Sequence, residues 1–384
     1  MQLFNKKRAL LGIILLPALS FAQQPFSISG TIYRSNPSPD RILISYTSQG
    51  QNYIDSADVQ GGRYSFSGTL AGPTRIELLA KYNRNLRPSM QRDIVAMFIE
   101  PANVQVASRD SFSNAMVTGS VVNQDFKKLQ SMAQPYMANM QPLVQQYQQY
   151  EQRKDKANAG RIKKQIDVQS AEMNDAIYRS FIQQNPNSGL GLFAINQYMG
   201  PILKDNKIAE AQSLFNMLPL QTRQSTEGQR VAQRLSLAKA TSVGKQAPAF
   251  TQNDSTGNPV ALSQYRGNYV LVNFWASWAA NSRYNNPGIV SAYNAYHGKG
   301  FNVIGVSLDQ PGGRSKWLSA INSDKLPWVQ VTDLKYWNND VARLYGVTAL
   351  PQNFLIDPDG KIIAKDVYGD DLMHKLSQVY NSTN

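Results

Sequence analysis

The run Tyr269-Val270-Leu271-Val272-Asn273-Phe274-Trp275-Ala276-Ser277-Trp278-Ala279-Ala280-Asn281-Ser282-Arg283, with Pro287 four residues on, organises the C-terminal third of the chain. Its first six residues are an almost unbroken apolar series, the pattern of a strand covered on both faces. A helical stretch then reaches His297, a second strand covers Phe301 to Leu308, and a second helix covers Gly313 to Asn322. Strand, helix, strand in that order predicts a βαβ unit with a parallel pair. Downstream, Phe354 to Asp357 and Lys361 to Lys365 flank Pro358-Asp359-Gly360, a hairpin turn, before a last helix from Asp370 to Tyr380. Residues 242–384 are therefore expected to form an α/β domain with helices on both sides of a small mixed sheet.

The chain changes character twice upstream of that domain. Across residues 23–118, Phe26, Ile28, Gly30 and Ile32 alternate with Ser27, Ser29 and Thr31. Further short β-rich runs follow at Ile42 to Tyr46, Arg75 to Ala80, Ile94 to Glu100 and Val104 to Ala107. Tyr53 to Val59 and Arg63 to Gly68 are expected to pair across the Gly61-Gly62 turn. About seven short strands predict an all-β, sandwich-like or barrel domain. Across residues 119–241, Tyr136, Met140, Leu143, Tyr147 and Tyr150 recur at steps of three and four, as do Ile162, Ile166, Met173, Ile177 and Phe181. These are amphipathic helices whose aromatic stripe is expected to be core. Ala157 to Gly160 is expected to separate two long helices, and Asn185-Pro186 to end the second.

Residues 1–22 read as a signal peptide. Lys6, Lys7 and Arg8 precede an apolar run from Ala9 to Phe21, and Ser20-Phe21-Ala22 offers small residues for cleavage. The apolar run is well short of the roughly 20 residues a membrane span needs, so no transmembrane segment is expected. A periplasmic or cell-envelope location follows, and the absence of Cys excludes a lipoprotein anchor. Loss of those three basic residues would lower the net charge from +13 to +10, and residues 120–240 hold most of the excess, with 15 basic and 9 acidic residues. No basic run interleaved with exposed aromatics appears, so nucleic acid is not an expected partner. Zero Cys among 384 residues excludes thiol catalysis and thiolate metal sites, and neither cofactor nor metal is expected.

Trp275-Ala276-Ser277-Trp278-Ala279-Ala280-Asn281-Ser282-Arg283 with Pro287 resembles the W-A-S-W-C-x-x-C-R-x-E-x-P pattern of the TlpA/ResA-type envelope thiol:disulfide oxidoreductases. Val243 to Phe250 is similar to that family's entry segment, Leu262 to Gly267 to its lead-in, and Gly346 to Asp357 to its proline loop. The resemblance implies a thioredoxin-like fold for residues 242–384. A β domain of unknown function and a helical segment ending in F-I-x-x-N-P-x-S, here Phe181 to Ser188, precede such domains in related envelope proteins.

The departures from the pattern bear on activity. In the family the first Cys is a nucleophile favoured by the helix N-terminus, and the second resolves the mixed disulfide. Those positions are Ala279 and Ser282, and the family's proton-handling acid falls at Asn285. None of the three can do the family's redox or proton chemistry. A hydrolase built on Ser282 would need a nearby base, and His297 lies about four helical turns away. What remains is a binding surface of Trp278, Leu350 and Pro351, with the proline implied by the resemblance to be cis, and with Trp275 expected in the core. The expected function is a redox-inactive protein- or peptide-binding module for an envelope protein or extended polypeptide. The alternatives are a structural or assembly component using the β and helical regions, or family-type activity with a thiol supplied from elsewhere.

Overall fold

The computed structural model describes residues 23–33, 38–48, 50–82 and 93–381. The signal-peptide reading of residues 1–22 lies outside the described residues. The chain forms two compact units, one up to Met132 and one from Ala133 onward.

The first unit holds β1 (Gln24–Ile32), β2 (Arg41–Ser48), β3 (Gln51–Asp58), β4 (Arg63–Leu70), β5 (Thr74–Lys81), β6 (Ile94–Ile99), β7 (Asn103–Ser108) and β8 (Met116–Thr118). They form two four-stranded sheets, ordered β4-β1-β7-β8 and β3-β2-β5-β6. Period-two alternation puts Phe26, Ile28, Tyr64, Phe66, Val104 and Val106 of one sheet against Ile42, Ile44, Ile76, Leu78, Met97 and Ile99 of the other, in one buried cluster. The sandwich-like expectation holds, but the predicted hairpin does not. β3 pairs with β2, and β4 with β1 from Gln24↔Leu70 to Thr31↔Arg63, so the Gly61-Gly62 turn passes the chain between sheets. The reason is burial: β4 places Tyr64, Phe66 and Leu70 inward, whereas β3 is mostly exposed and cannot cover them. Gly62 is required at that turn, because its φ is +75° and a Cβ would lie 2.4 Å from the Ile32 carbonyl oxygen.

α1 (Val121–Gln152) starts on this unit, where Ser120 Oγ and the Val121 and Val122 amides donate to the Glu100 carboxylate. α2 (Lys156–Gln184) follows after a break at Arg153-Lys154-Asp155, earlier than the predicted Ala157 to Gly160. Asp155 caps α2 by accepting from the Asn158 amide, and the helix runs on through the exposed Gly160. Asn185 ends α2 as expected. Of the aromatic stripe on α1, only Met140 is buried, Leu143, Tyr147 and Tyr150 are half-buried and Tyr136 is 41% exposed. A two-helix hairpin covers each helix on one side only, which is why the stripe is not a closed core. α3 (Gly191–Met199), α4 (Ile208–Met217), α5 (Leu220–Gln224) and α6 (Thr226–Ala240) complete the helical region.

The C-terminal region begins with a short pair, β9 (Thr251–Asn253) and β10 (Pro259–Ala261). Then come β11 (Tyr269–Trp275), α7 (Ala280–Tyr296), β12 (Phe301–Ser307), α8 (Arg314–Ser323), β13 (Val329–Val331), α9 (Asp340–Tyr345), β14 (Gln352–Ile356), β15 (Ile362–Lys365) and α10 (Gly369–Asn381). The sheet order is β13-β12-β11-β14-β15. β11, β12 and β13 run parallel, as the βαβ reading requires, and β14 lies antiparallel to β11, which makes the sheet mixed. Val270, Val272 and Phe274 face one apolar layer, with Val341, Ala342 and Tyr345 of α9. Leu271 and Trp275 face the other, with Ile289 and Ala292 of α7, Trp317 of α8 and Leu372 and Leu376 of α10. Alternation along a doubly covered strand thus packs helices on both sides of the sheet.

Candidate functional site

β11 ends at Trp275, and the next residues turn into the N-terminus of α7. Trp275 is fully buried and its Nε1–H donates to Gln330 Oε1 at 2.9 Å, which makes it a core residue as expected. Ser277 is fixed from both its amide and its hydroxyl by Asp309, at 3.1 and 2.5 Å. Asp309 also accepts from Ser307 Oγ at 2.6 Å, so one buried carboxylate ties the ends of β11 and β12 together.

Trp278 is 43% exposed and held from two sides. Its Nε1–H donates to the Leu308 carbonyl at 3.1 Å, and its ring lies 5.3 Å from Tyr336 and 6.1 Å from Trp337, centroid to centroid. Tyr336 and Trp337 are themselves 5.8 Å apart in an edge-on arrangement. The three rings form an aromatic ledge beside the start of α7. Tyr336 and Trp337 were not among the expected site residues, although adjacent aromatics between Lys335 and Asn338-Asn339-Asp340 are a legible signal of an exposed apolar site.

Ala279 is the N-cap of α7, with no side-chain cap, and its methyl group sits at the edge of the core layer against which Leu350 and Trp337 also pack. The Leu350–Pro351 peptide bond is cis, as the resemblance implied. Leu350 and Pro351 are half-buried. Ala279, Leu350 and Trp337 therefore belong to one apolar layer, which Trp278 meets through its ring contact with Trp337.

Ser282 is 1% exposed and its hydroxyl has no hydrogen-bond partner among the described residues. Asn285 is only half-buried, and its side chain turns back on the helix to donate to the Asn281 carbonyl at 2.8 Å. The buried polar group of this turn is instead Asn286, which donates to Asp324 at 2.7 Å. Arg283 grips the same Asp324 with two hydrogen bonds at 2.5 and 2.6 Å. Those bonds, reinforced by the carboxylate's charge, hold the guanidinium above its ordinary pKa. His297 stacks on Tyr293 at the far end of α7, and His374 contacts Gln378 on α10. Neither hydrogen-bonds the Ser282 hydroxyl, and His297 lies about 22 Å along the helix from it. Among the described residues no cluster of His, Asp and Glu is placed to hold a metal, and no helix is long and apolar enough to cross a membrane.

Residues 243–365 match the AhpC/TSA family, and residues 26–126 match a domain of unknown function, DUF4369. The thiol-disulfide oxidoreductase ResA of Geobacillus thermodenitrificans is 31% identical over 129 residues, covering 32% of this chain and 68% of that protein. ResA of Bacillus thuringiensis subsp. konkukian is 29% identical over 141 residues, 35% of this chain and 75% of that protein. Among solved structures, the thioredoxin domain of a thiol-disulfide oxidoreductase from Bacteroides vulgatus is 39% identical with a TM-score of 0.34, covering 36% of this chain and 97% of that one. A thiol-disulfide oxidoreductase from Bacteroides fragilis is 36% identical with a TM-score of 0.33, covering 35% and 99%. With the ResA identity and coverage set beside a βαβ-built C-terminal region, the chain belongs to the thioredoxin-like thiol-disulfide oxidoreductase family, as a member that contains no cysteine.

Proposed function

We infer that this protein is an exported, envelope-located binding module that holds an extended polypeptide at the former redox groove and reduces nothing. The observation that carries the reading is the aromatic ledge. Trp278 stays 43% exposed while its indole N–H and both neighbouring rings fix its position, an arrangement suited to receiving an apolar side chain with little loss of freedom. Leu350 and Pro351 extend that surface, and the backbone before a proline loop of this kind is free to pair with an added strand. Disulfide exchange needs a thiolate to attack and a second sulfur to resolve, and Ala279 and Ser282 supply neither. Export rests on the basic and apolar pattern of residues 1–22. The reading takes residues 23–118, 119–241 and 242–384 as three functional parts after a signal peptide at 1–22.

The second reading, a structural component working through its β and helical parts, is favoured by Tyr136, Met137 and Val144, which stand exposed on α1, and by Val168 on α2. Affinity capture from envelope extract separates the two, using the mature chain, Trp278→Ala and Trp278→Ala/Leu350→Asp. A partner held by the wild type and lost with either variant is the expected result. A partner held equally by all three moves the function to the β and helical regions, and near-ultraviolet circular dichroism establishes that the variants are folded.

A further inference from the structure

A small cavity lies within the second unit, on the face of the sheet opposite α7. Its walls include Arg234 of α6, Tyr345 of α9, Thr348, Gln352 of β14 and Lys365 of β15. Its volume of about 20 Å³ admits one or two water-sized groups. That suits the head of a ligand rather than a whole side chain.

The charges around it are unevenly matched. Lys365 Nζ donates to Asp205 Oδ1 at 2.8 Å, and the other oxygen of Asp205 accepts from the Val243 amide at 2.7 Å. Asp205 is thereby used up. Arg234 pairs with no carboxylate among the described residues; one Nη donates to the Gly200 and Pro201 carbonyls. Nε and the second Nη donate to none of the described residues, so a guanidinium lining the cavity keeps N–H groups without a protein acceptor. Burial pushes the Arg234 guanidinium below its ordinary pKa, as happens where no counter-charge offsets lost solvent. Gln352 is 6% exposed and its Oε1 is buried without a donor. The cavity therefore offers unused cationic donors and one unused amide acceptor.

We propose that this cavity binds the C-terminal carboxylate of a peptide chain, the carboxylate taking the free donors of Arg234 and the terminal residue's N–H donating to Gln352 Oε1. A simple anion would satisfy the arginine and leave the amide oxygen orphaned, whereas a chain terminus satisfies both. The cavity borders the proline loop on both sides, since Thr348 precedes Leu350-Pro351 and Gln352 follows it. The proposal thus extends the peptide-binding reading. It assigns the partner a free C-terminus and lets occupancy of the cavity brace the loop that borders the groove.

The test uses N-acetylglycine, which carries the carboxylate and the N–H yet is too small to span the groove. Its failure is thus separable from failure of capture through Trp278 and Leu350. Melting of the full chain is followed with sodium N-acetylglycinate, sodium acetate, N-acetylglycinamide, and sodium chloride at equal ionic strength, because a ligand of the folded state raises the melting temperature in proportion to its affinity. The expected result is a saturable rise with N-acetylglycinate, an affinity roughly tenfold lower for acetate, and no rise with the amide or chloride. Arg234→Gln is expected to abolish the rise, and Gln352→Leu to bring N-acetylglycinate down to the affinity of acetate. Arg234→Lys, which keeps the charge but not the fork, covers the case in which Arg234→Gln fails to fold, and it too is expected to lose the preference. An equal rise with the amide or chloride, no rise at all, or a rise retained in the folded Arg234 variants would overturn the proposal.

Discussion

Ser282 shows at one side chain what the change of chemistry entails. A hydroxyl buried without a partner costs about 1–3 kcal/mol, and serine is a poorer helix former than alanine. Ser282→Ala is therefore expected to leave the urea midpoint unchanged or raise stability by about 1 kcal/mol, and a loss above that would mean the hydroxyl has a partner after all. Asp366 is a second residue with a directional consequence. Burial raises its carboxyl pKa against the pull of the neighbouring Lys365 charge, with Asp205 adding to the rise. An acid whose folded pKa lies above its unfolded value holds its proton longer when folded, so stability falls as pH rises from the unfolded value through the folded one, then levels off. Asp366→Asn is expected to raise stability at neutral pH and flatten that part of the profile. Asparagine also tolerates the backbone there, where φ is +54°. Melting temperature against pH for both proteins checks this; identical profiles would count against it.

The elements divide into those whose period is decisive and those whose partners are not. β11, β12, α7 and the Pro358-Asp359-Gly360 turn were legible because a buried run, a helical period and turn residues each point one way. The β3–β4 hairpin was misread because strand pairing depends on which faces need covering, information that a two-glycine turn does not carry. Gly62→Ala is expected to destabilise the β sandwich by about 2–3 kcal/mol in urea unfolding, since both its φ and the Ile32 carbonyl oppose a Cβ. An effect under half a kcal/mol would show that the turn can relax. The break between α1 and α2 was displaced for a related reason: a helix cap such as Asp155 can outweigh a glycine that follows it. At the site, Trp278, Leu350 and Pro351 were legible through the motif. Tyr336 and Trp337 offer a local aromatic signal, but nothing in the sequence ties them to Trp278, because that approach bridges almost 60 residues of chain.

At the scale of the molecule, the helical region from Ala133 onward and the thioredoxin-like region form one compact unit. Asp205 is a principal tie within it: the residue sits just before α4 and reaches both Val243 and Lys365, a lysine whose side chain is 9% exposed. Asp205→Ala leaves that lysine nearly buried and unpaired, and is expected to cost about 1–3 kcal/mol, or roughly 2–8 °C in melting temperature. A change within one degree would mean the tie is not needed. Composition makes one whole-molecule property plain: the chain contains no cysteine, and the proposed loss of the family's thiol exchange rests on that. The most direct test of that central claim is insulin-disulfide reduction by the purified chain, run beside a no-protein blank and the Ala279→Cys/Ser282→Cys variant. The expected result is a wild-type rate equal to the blank and at most weak turnover from the variant, whose Asn285 cannot manage a proton; wild-type turnover above the blank would contradict the account.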